Sequence, residues 1–206
     1  MKNARLLGFA WFAASGFCVL TVLMMTDAAV GFDTEVRGWM HGYASPALTK
    51  AAFTLTWLGA LGVLGVLGAI AAGLLLRAGR RRDALLLVFT MAGALVLENG
   101  LKFTLQRARP PPFFGVNPLT YGFPSGHALF SLCFYGMLAV ILTRELRFHR
   151  LAVAIWGAGL VLVGVIGATR VYLGVHYPSD VVGGYLVAWG WICVALVLEK
   201  RFFPRR

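Results

Sequence analysis

Six long stretches with almost no charge recur along this chain, and no other feature constrains its fold as strongly. Residues 6–25, 51–76, 125–143, 151–169 and 181–198 contain no Asp, Glu, Lys or Arg. Crossing a bilayer takes about 20 apolar residues in a helix. A sixth stretch begins at Ala84, but its strictly apolar part ends at Leu97, short for a span. Its helix must therefore continue through Glu98, Asn99 and Lys102 to about Leu105. Lipid offers the backbone no hydrogen-bond partner, so each stretch is read as a helix. Six such spans use about 120 residues of the 206, leaving short loops and no room for a soluble domain. The expectation is an all-α integral membrane protein: one domain over residues 1–206, with six transmembrane helices. Composition agrees. Charged residues are 13% and hydrophobic residues 59%, against roughly a quarter charged in soluble domains. Disorder, a disulfide scaffold and most soluble folds are excluded. The 6–25 run stands behind Lys2 and Arg5. It is too long for a signal-peptide core and lacks a clear cleavage site, so it is read as retained.

The net charge of +11 would raise the question of nucleic acid in a soluble protein. Here the positions of the charges carry the information, and no nucleic-acid partner is expected. With the N-terminus inside, one side holds Lys2, Arg5, Arg77, Arg80, Arg81, Arg82, Arg144, Arg147, Arg150, Lys200, Arg201, Arg205 and Arg206. The other holds Arg37, Lys50, Lys102, Arg107, Arg109 and Arg170. The positive-inside rule then puts both termini in the cytoplasm of a multi-pass cell (inner) membrane protein. Arg80 and Arg147 should lie inside, and Asn117 and Ser179 outside. The triplet Arg80-Arg81-Arg82 is read as a topology signal. Cys18, Cys133 and Cys193 lie inside apolar runs at no metal-like spacing and are read as packing residues. Gly59, Gly62, Gly65 and Gly68 predict a glycine ridge for close helix packing. Between the first two spans, Phe32, Val36, Trp39, Met40 and Tyr43 fall near one helical face. Asp33, Glu35, Arg37 and His41 lie elsewhere on it. This predicts a short interfacial helix.

The outer loops gather the unusual residues. Lys102 and Arg109 flank the end of the third helix, which Pro110, Pro111 and Pro112 are expected to stop. Pro124-Ser125-Gly126-His127 opens the fourth, Arg170 closes the fifth, and His176 and Asp180 open the sixth. Lys102, Arg109, Arg170 and the start of the fourth helix all donate to anions. Ser125 suits an N-cap, and Gly126 allows close approach to a ligand. Pro178 fits a first helical turn, which places Asp180 within reach of one ring nitrogen of His176. The other nitrogen would then be a lone-pair nucleophile. His127 stands where it could protonate a leaving oxygen. Taken singly, each residue has an ordinary structural reading: a cap, a surface histidine, a snorkelling arginine, a helix-dipole partner. Their convergence on one face makes an anion site with a nucleophile and an acid.

The spacings Lys102-x6-Arg109-Pro110, Pro124-Ser125-Gly126-His127 and Arg170-x5-His176-x3-Asp180 resemble the three motifs of the type 2 phosphatidic acid phosphatase family. That family includes bacterial phosphatidylglycerophosphate, undecaprenyl-diphosphate and lipid A phosphatases, and vanadium haloperoxidases share its motifs. One departure is Thr169, where the family usually has Ser before the third-motif arginine. By this resemblance, Lys102, Arg109, Ser125, Gly126 and Arg170 hold the phosphate, and His176 attacks phosphorus to form a phosphohistidine. His127 protonates the leaving alkoxide and then activates water, while Asp180 orients His176. Fixed cations would do what magnesium does elsewhere. With no carboxylate pair to hold a metal, neither metal nor cofactor is expected.

Glu98, four residues before Lys102, is read as an ion pair that positions it. Two other functions compete. A transporter or flippase needs polar residues along the spans, where only Glu98 and Asn99 are candidates. A vanadate-dependent peroxidase would hold the same anion, but the membrane spans argue against it. The expected substrate is a lipid phosphate or diphosphate, and oligomeric state is unreadable. The aromatic residues Phe113, Phe114, Tyr121 and Phe123 have two readings, a simple interfacial anchor or a partly mobile wall over the headgroup site, open sideways to the outer leaflet.

Overall fold

The computed structural model describes residues 3–115 and 118–202. Asn117, Lys2, Arg205 and Arg206 of the orientation argument lie outside them. The described residues are helical throughout their regular structure: α1 (Asn3–Met25), α2 (Val30–Gly42), α3 (Pro46–Thr56), α4 (Leu61–Arg77), α5 (Arg81–Leu105), α6 (Gly126–Ser131), α7 (Met137–Thr143), α8 (His149–Tyr172) and α9 (Pro178–Phe202). Five segments are long and apolar enough to cross a membrane: α1, α5, Gly126–Thr143, α8 and α9. The pair Pro46–Gly59 and Leu61–Arg77 passes the same test together, bent by 49°. The core is lined by Leu64, Leu87, Leu129, Met137 and Ile141. Trp11, Phe12, Val96 and Phe103 face outward and stay largely exposed, as suits a surface solvated by lipid.

Two predicted continuous helices are interrupted. Residues 51–76 were expected to form one helix. Instead a 3-10 turn at Trp57–Gly59 leads into Ala60, whose backbone is extended. A Cβ on Gly59 would lie 2.5 Å from Ile166 and 3.3 Å from the His127 ring. The break therefore lets the backbone press directly against the start of α6. Tyr135 Oη donates to the Leu58 carbonyl at 3.0 Å, satisfying an acceptor that the break exposes. Tyr135 itself sits in the second interruption, a π turn at Leu132–Gly136 between α6 and α7.

The glycine ridge is corrected accordingly. Gly59 makes a close approach, but nothing lies within 4 Å of a Cβ built on Gly62 or Gly65, and Gly68 meets only Phe134 at 3.9 Å. Helix α5 also stops before the three prolines, at Gln106, whose left-handed backbone (φ 45°) ends the hydrogen-bond ladder. Cys133 and Cys193 are buried, whereas Cys18 is exposed on the outer face of α1. Nor are the arginines at the start of α5 idle topology markers. Arg80 and Arg144 hold Asp83 at 2.7 and 2.9 Å, and Arg82 and Arg144 hold Glu199 at 2.9 and 2.7 Å.

Candidate active site

At the other end of the bundle the three motifs converge on one cavity of about 290 Å³. Its lining includes Lys102, Arg109, Gly126, His127, Arg170 and His176. Each side chain is placed by a local cause. Lys102 projects from the last turn of α5, where a cation complements the helix dipole. Arg170 lies near the end of α8. The chain then reverses through Gly174, whose φ of +78° favours glycine, and this turn carries His176 inward.

His176 is buried between two fixed partners. Its Nδ1 lies 3.2 Å from Asp180 Oδ2, and its Nε2 lies 2.9 Å from Arg109 Nη1. The carboxylate can only accept and the guanidinium can only donate. The neutral ring with its proton on Nδ1 satisfies both contacts and leaves the lone pair on Nε2. Burial pushes the His176 pKa down to about 4. Asp180 opposes that shift, while Arg109 and Arg170 add to it. The ring is therefore neutral at neutral pH, with a single proton. Asp180 sits in the first turn of α9, as expected, and its Oδ2 also accepts the Tyr177 N–H at 2.9 Å.

The two arginines that line the cavity are held by neutral partners. Arg109 donates to the carbonyls of Thr120 and Val175 at 2.7 and 2.9 Å. Arg170 donates to Thr56 Oγ1 at 2.8 Å, and its Nε is buried without a partner among the described residues. Ser125 is the N-cap residue of α6, as the sequence suggested, but its hydroxyl makes no cap hydrogen bond and is buried without a partner among the described residues. Thr169 keeps its hydroxyl on its own helix, donating to the Ile166 carbonyl at 2.6 Å.

Glu98 and Lys102 form the expected ion pair along α5, and both line the cavity. A Cβ on Gly126 would fall 2.7 Å from Glu98 Oε1, so glycine there admits both the carboxylate and the cavity. Among the described residues, no three His, Cys, Asp or Glu side chains gather as a metal set.

The predicted aromatic wall is not what encloses the cavity. Its loop side is formed by Pro118 and Thr120. Phe123 is fully buried and stacks on Phe17 with centroids 5.3 Å apart. Phe113 stacks on His41 at 3.9 Å, and Phe114 on Tyr172 at 5.7 Å. These rings anchor the loop to α1, α2 and α8.

Sequence reasoning missed Asp33, Thr56, Arg107, Thr120 and Ser179. The polar residues of α2 face the site's loops. Arg37 donates to the carbonyls of Pro111 and Gly174 and lies over the Phe113 ring at 4.2 Å. Asp33, Arg37 and His41 recur every fourth residue. That polar stripe was the available signal for a helix whose inner face is polar.

This geometry matches known proteins. Residues 83–204 match the PAP2 superfamily. The chain is 31% identical to phosphatidylglycerophosphatase B of Bacillus subtilis (strain 168), over 82% of this chain and 84% of that protein. It is 30% identical to the undecaprenyl-diphosphatase of Sulfolobus acidocaldarius, over 60% of this chain and 58% of that one. The crystal structure of the transmembrane PAP2-type phosphatidylglycerolphosphate phosphatase from Bacillus subtilis superposes with a TM-score of 0.86 at 26% identity, covering 96% of this chain and 98% of that chain. Aquifex aeolicus LpxE superposes with a TM-score of 0.59 at 26% identity, covering 82% and 95%. The chain is thus a multi-pass membrane protein of the PAP2 superfamily, and a lipid phosphatase.

Proposed function

We propose that the protein hydrolyses a lipid phosphate or diphosphate at the outer membrane face, without metal, through a phosphohistidine at His176. The preferred substrates are phosphatidylglycerophosphate and undecaprenyl diphosphate, after the relatives' names. One observation carries the reading: the Nε2 lone pair of His176 lies in a cavity that also holds Arg109, Arg170 and Lys102. Lys102, Arg109, Arg170, the Ser125 hydroxyl and the Gly126 N–H bind the phosphate oxygens. Nε2 attacks phosphorus, the bond to the leaving oxygen breaks, and His127 supplies its proton. His127 then takes a proton from water, which attacks the phosphohistidine and releases phosphate. Asp180 holds the ring throughout and balances the cationic intermediate. Fixed cations on the equatorial oxygens supply the charge stabilisation.

The single domain spans residues 1–206, with the bent pair as its second of six spans and both termini cytoplasmic. Helix α2 lies in the outer interface, where its exposed Phe32, Trp39 and Tyr43 suit the headgroup region. Leu61 and Leu95 line the cavity and are also exposed outward. The lipid's tail therefore leaves sideways, between α4 and α5. Phosphate release from a panel of lipid phosphates in detergent, with and without a chelator, tests this reading. Chelator-resistant, vanadate-sensitive turnover is expected. Activity lost to the chelator and restored by magnesium would overturn it.

A further inference from the structure

The α2 helix reaches the nucleophile through Asp33, Arg107 and Ser179, at positions that none of the three motifs specifies. Asp33 lies outside the 83–204 segment matched to the superfamily, yet it is fully buried. Arg107 Nη2 donates to Asp33 Oδ2 at 2.8 Å, and its Nη1 donates to Asp180 Oδ1 at 2.5 Å. Asp33 also takes the Ser179 N–H at 2.9 Å and the Ser179 hydroxyl at 2.6 Å. That hydroxyl in turn accepts from Arg107 Nη1 at 2.7 Å. The guanidinium lies 4.4 Å over the Tyr177 ring. One oxygen of Asp180 therefore serves His176 and Tyr177, and the other is fixed by Arg107.

The order of charges matters. A lone guanidinium on Oδ1 would draw negative charge away from the His176 N–H. A lone second carboxylate would repel Asp180. The row Asp33, Arg107, Asp180 leaves one net negative charge against His176, which opposes the positive charge the ring gains when it carries phosphate. We propose that Asp33 and Arg107 are positioning residues for His176, which fix the plane and charge of the Asp180 carboxylate and tie the seating of α2 to the nucleophile. This rests on reading His176 as the nucleophile. Neither residue lines the cavity, so the effect belongs on turnover and not on phosphate affinity.

The test is kcat and the vanadate inhibition constant for Asp33→Asn, Arg107→Gln and the double variant, with His176→Ala assayed alongside. Second-layer partners of this kind alter activity by about 10- to 100-fold. We expect Asp33→Asn to lower kcat about 10-fold and Arg107→Gln about 100-fold. Vanadate inhibition should stay within about twofold, and the double variant should be no slower than Arg107→Gln, because the two residues act as one unit. If Arg107→Gln fails to fold, Arg107→Lys, which keeps the charge without the fork, should lower kcat about 10-fold. Wild-type kcat in folded Asp33→Asn and Arg107→Lys overturns the proposal. So do additive losses in the double variant, or losses that track vanadate affinity, since those mark a scaffold role. An active His176→Ala would instead overturn the nucleophile reading itself.

Discussion

Both ends of the bundle hold arginines that are half-buried or buried, and they treat them differently. Away from the cavity, Arg80, Arg82 and Arg144 each touch Asp83 or Glu199, and Arg144 touches both. At the cavity, Arg109 and Arg170 touch no carboxylate among the described residues. They are held by carbonyls, a threonine and His176, and the Arg170 Nε and the Ser125 hydroxyl have no partner among those residues. Buried polar groups are normally satisfied. A closed network ties α5, α7 and α9 together. An open one keeps hydrogen-bonding capacity for an anion. Stability should thus depend on the far end, and chemistry on the near end.

Replacing His176 breaks the comparison most severely. His176→Ala should lower turnover by about 10⁴-fold or more, as loss of a nucleophile does, with the fold intact by thermal unfolding in detergent. His127→Ala should cost at least about 10²-fold in kcat as a lost general acid, while vanadate still inhibits. Ser125→Ala removes a buried hydroxyl that has no hydrogen-bond partner among the described residues. It should raise KM and lower kcat/KM about 10-fold, a hydrogen bond to a charged group, without lowering the unfolding temperature. The far end gives the smallest kinetic effect and the largest stability effect. Arg144→Gln should leave kcat within about twofold but cost about 2 kcal/mol, because the buried carboxylates Asp83 and Glu199 lose their shared arginine while each keeps one other, Arg80 or Arg82. A stable but slow Arg144→Gln protein would erase the distinction between the two ends.

The near end also makes a prediction about protonation. With burial holding the His176 pKa at about 4, the folded ring takes up a proton only as pH falls through that value. The unfolded ring does so near 6.5, so this group lowers stability progressively as pH falls below 6.5. A histidine-resolved NMR titration should show His176 changing near pH 4. A midpoint near 6.5 would mean that the ring is solvated.

Much of this was legible in the sequence, because lipid permits so few solutions. The uncharged runs located five long apolar helices and the bent pair Pro46–Gly59 and Leu61–Arg77 to within about five residues. The motif spacing, with Pro178 starting α9, placed Asp180 beside His176. What escaped depends on tertiary contacts. Nothing local pairs Asp33 with Ser179, 146 residues away. Arg107 counted only as one outer charge, although it lies between Lys102 and Arg109. The bend at Gly59 was hidden inside an unbroken hydrophobic run, since hydropathy does not distinguish a straight helix from one that yields to His127. The aromatic residues of the 110–123 loop read as a membrane-facing wall because aromatic character alone does not show that Arg37, His41 and Tyr172 wait on the other side.

The central claim is a covalent intermediate at His176. Rapid acid-free quenching of the enzyme during turnover of a ³²P-labelled lipid phosphate, in chelator, tests it most directly. The account predicts label on the protein that is stable to base, labile to acid, mapped to the peptide containing His176 and absent from His176→Ala. Full turnover with no protein-bound label at any quench time, together with label-free activity in His176→Ala, would contradict it.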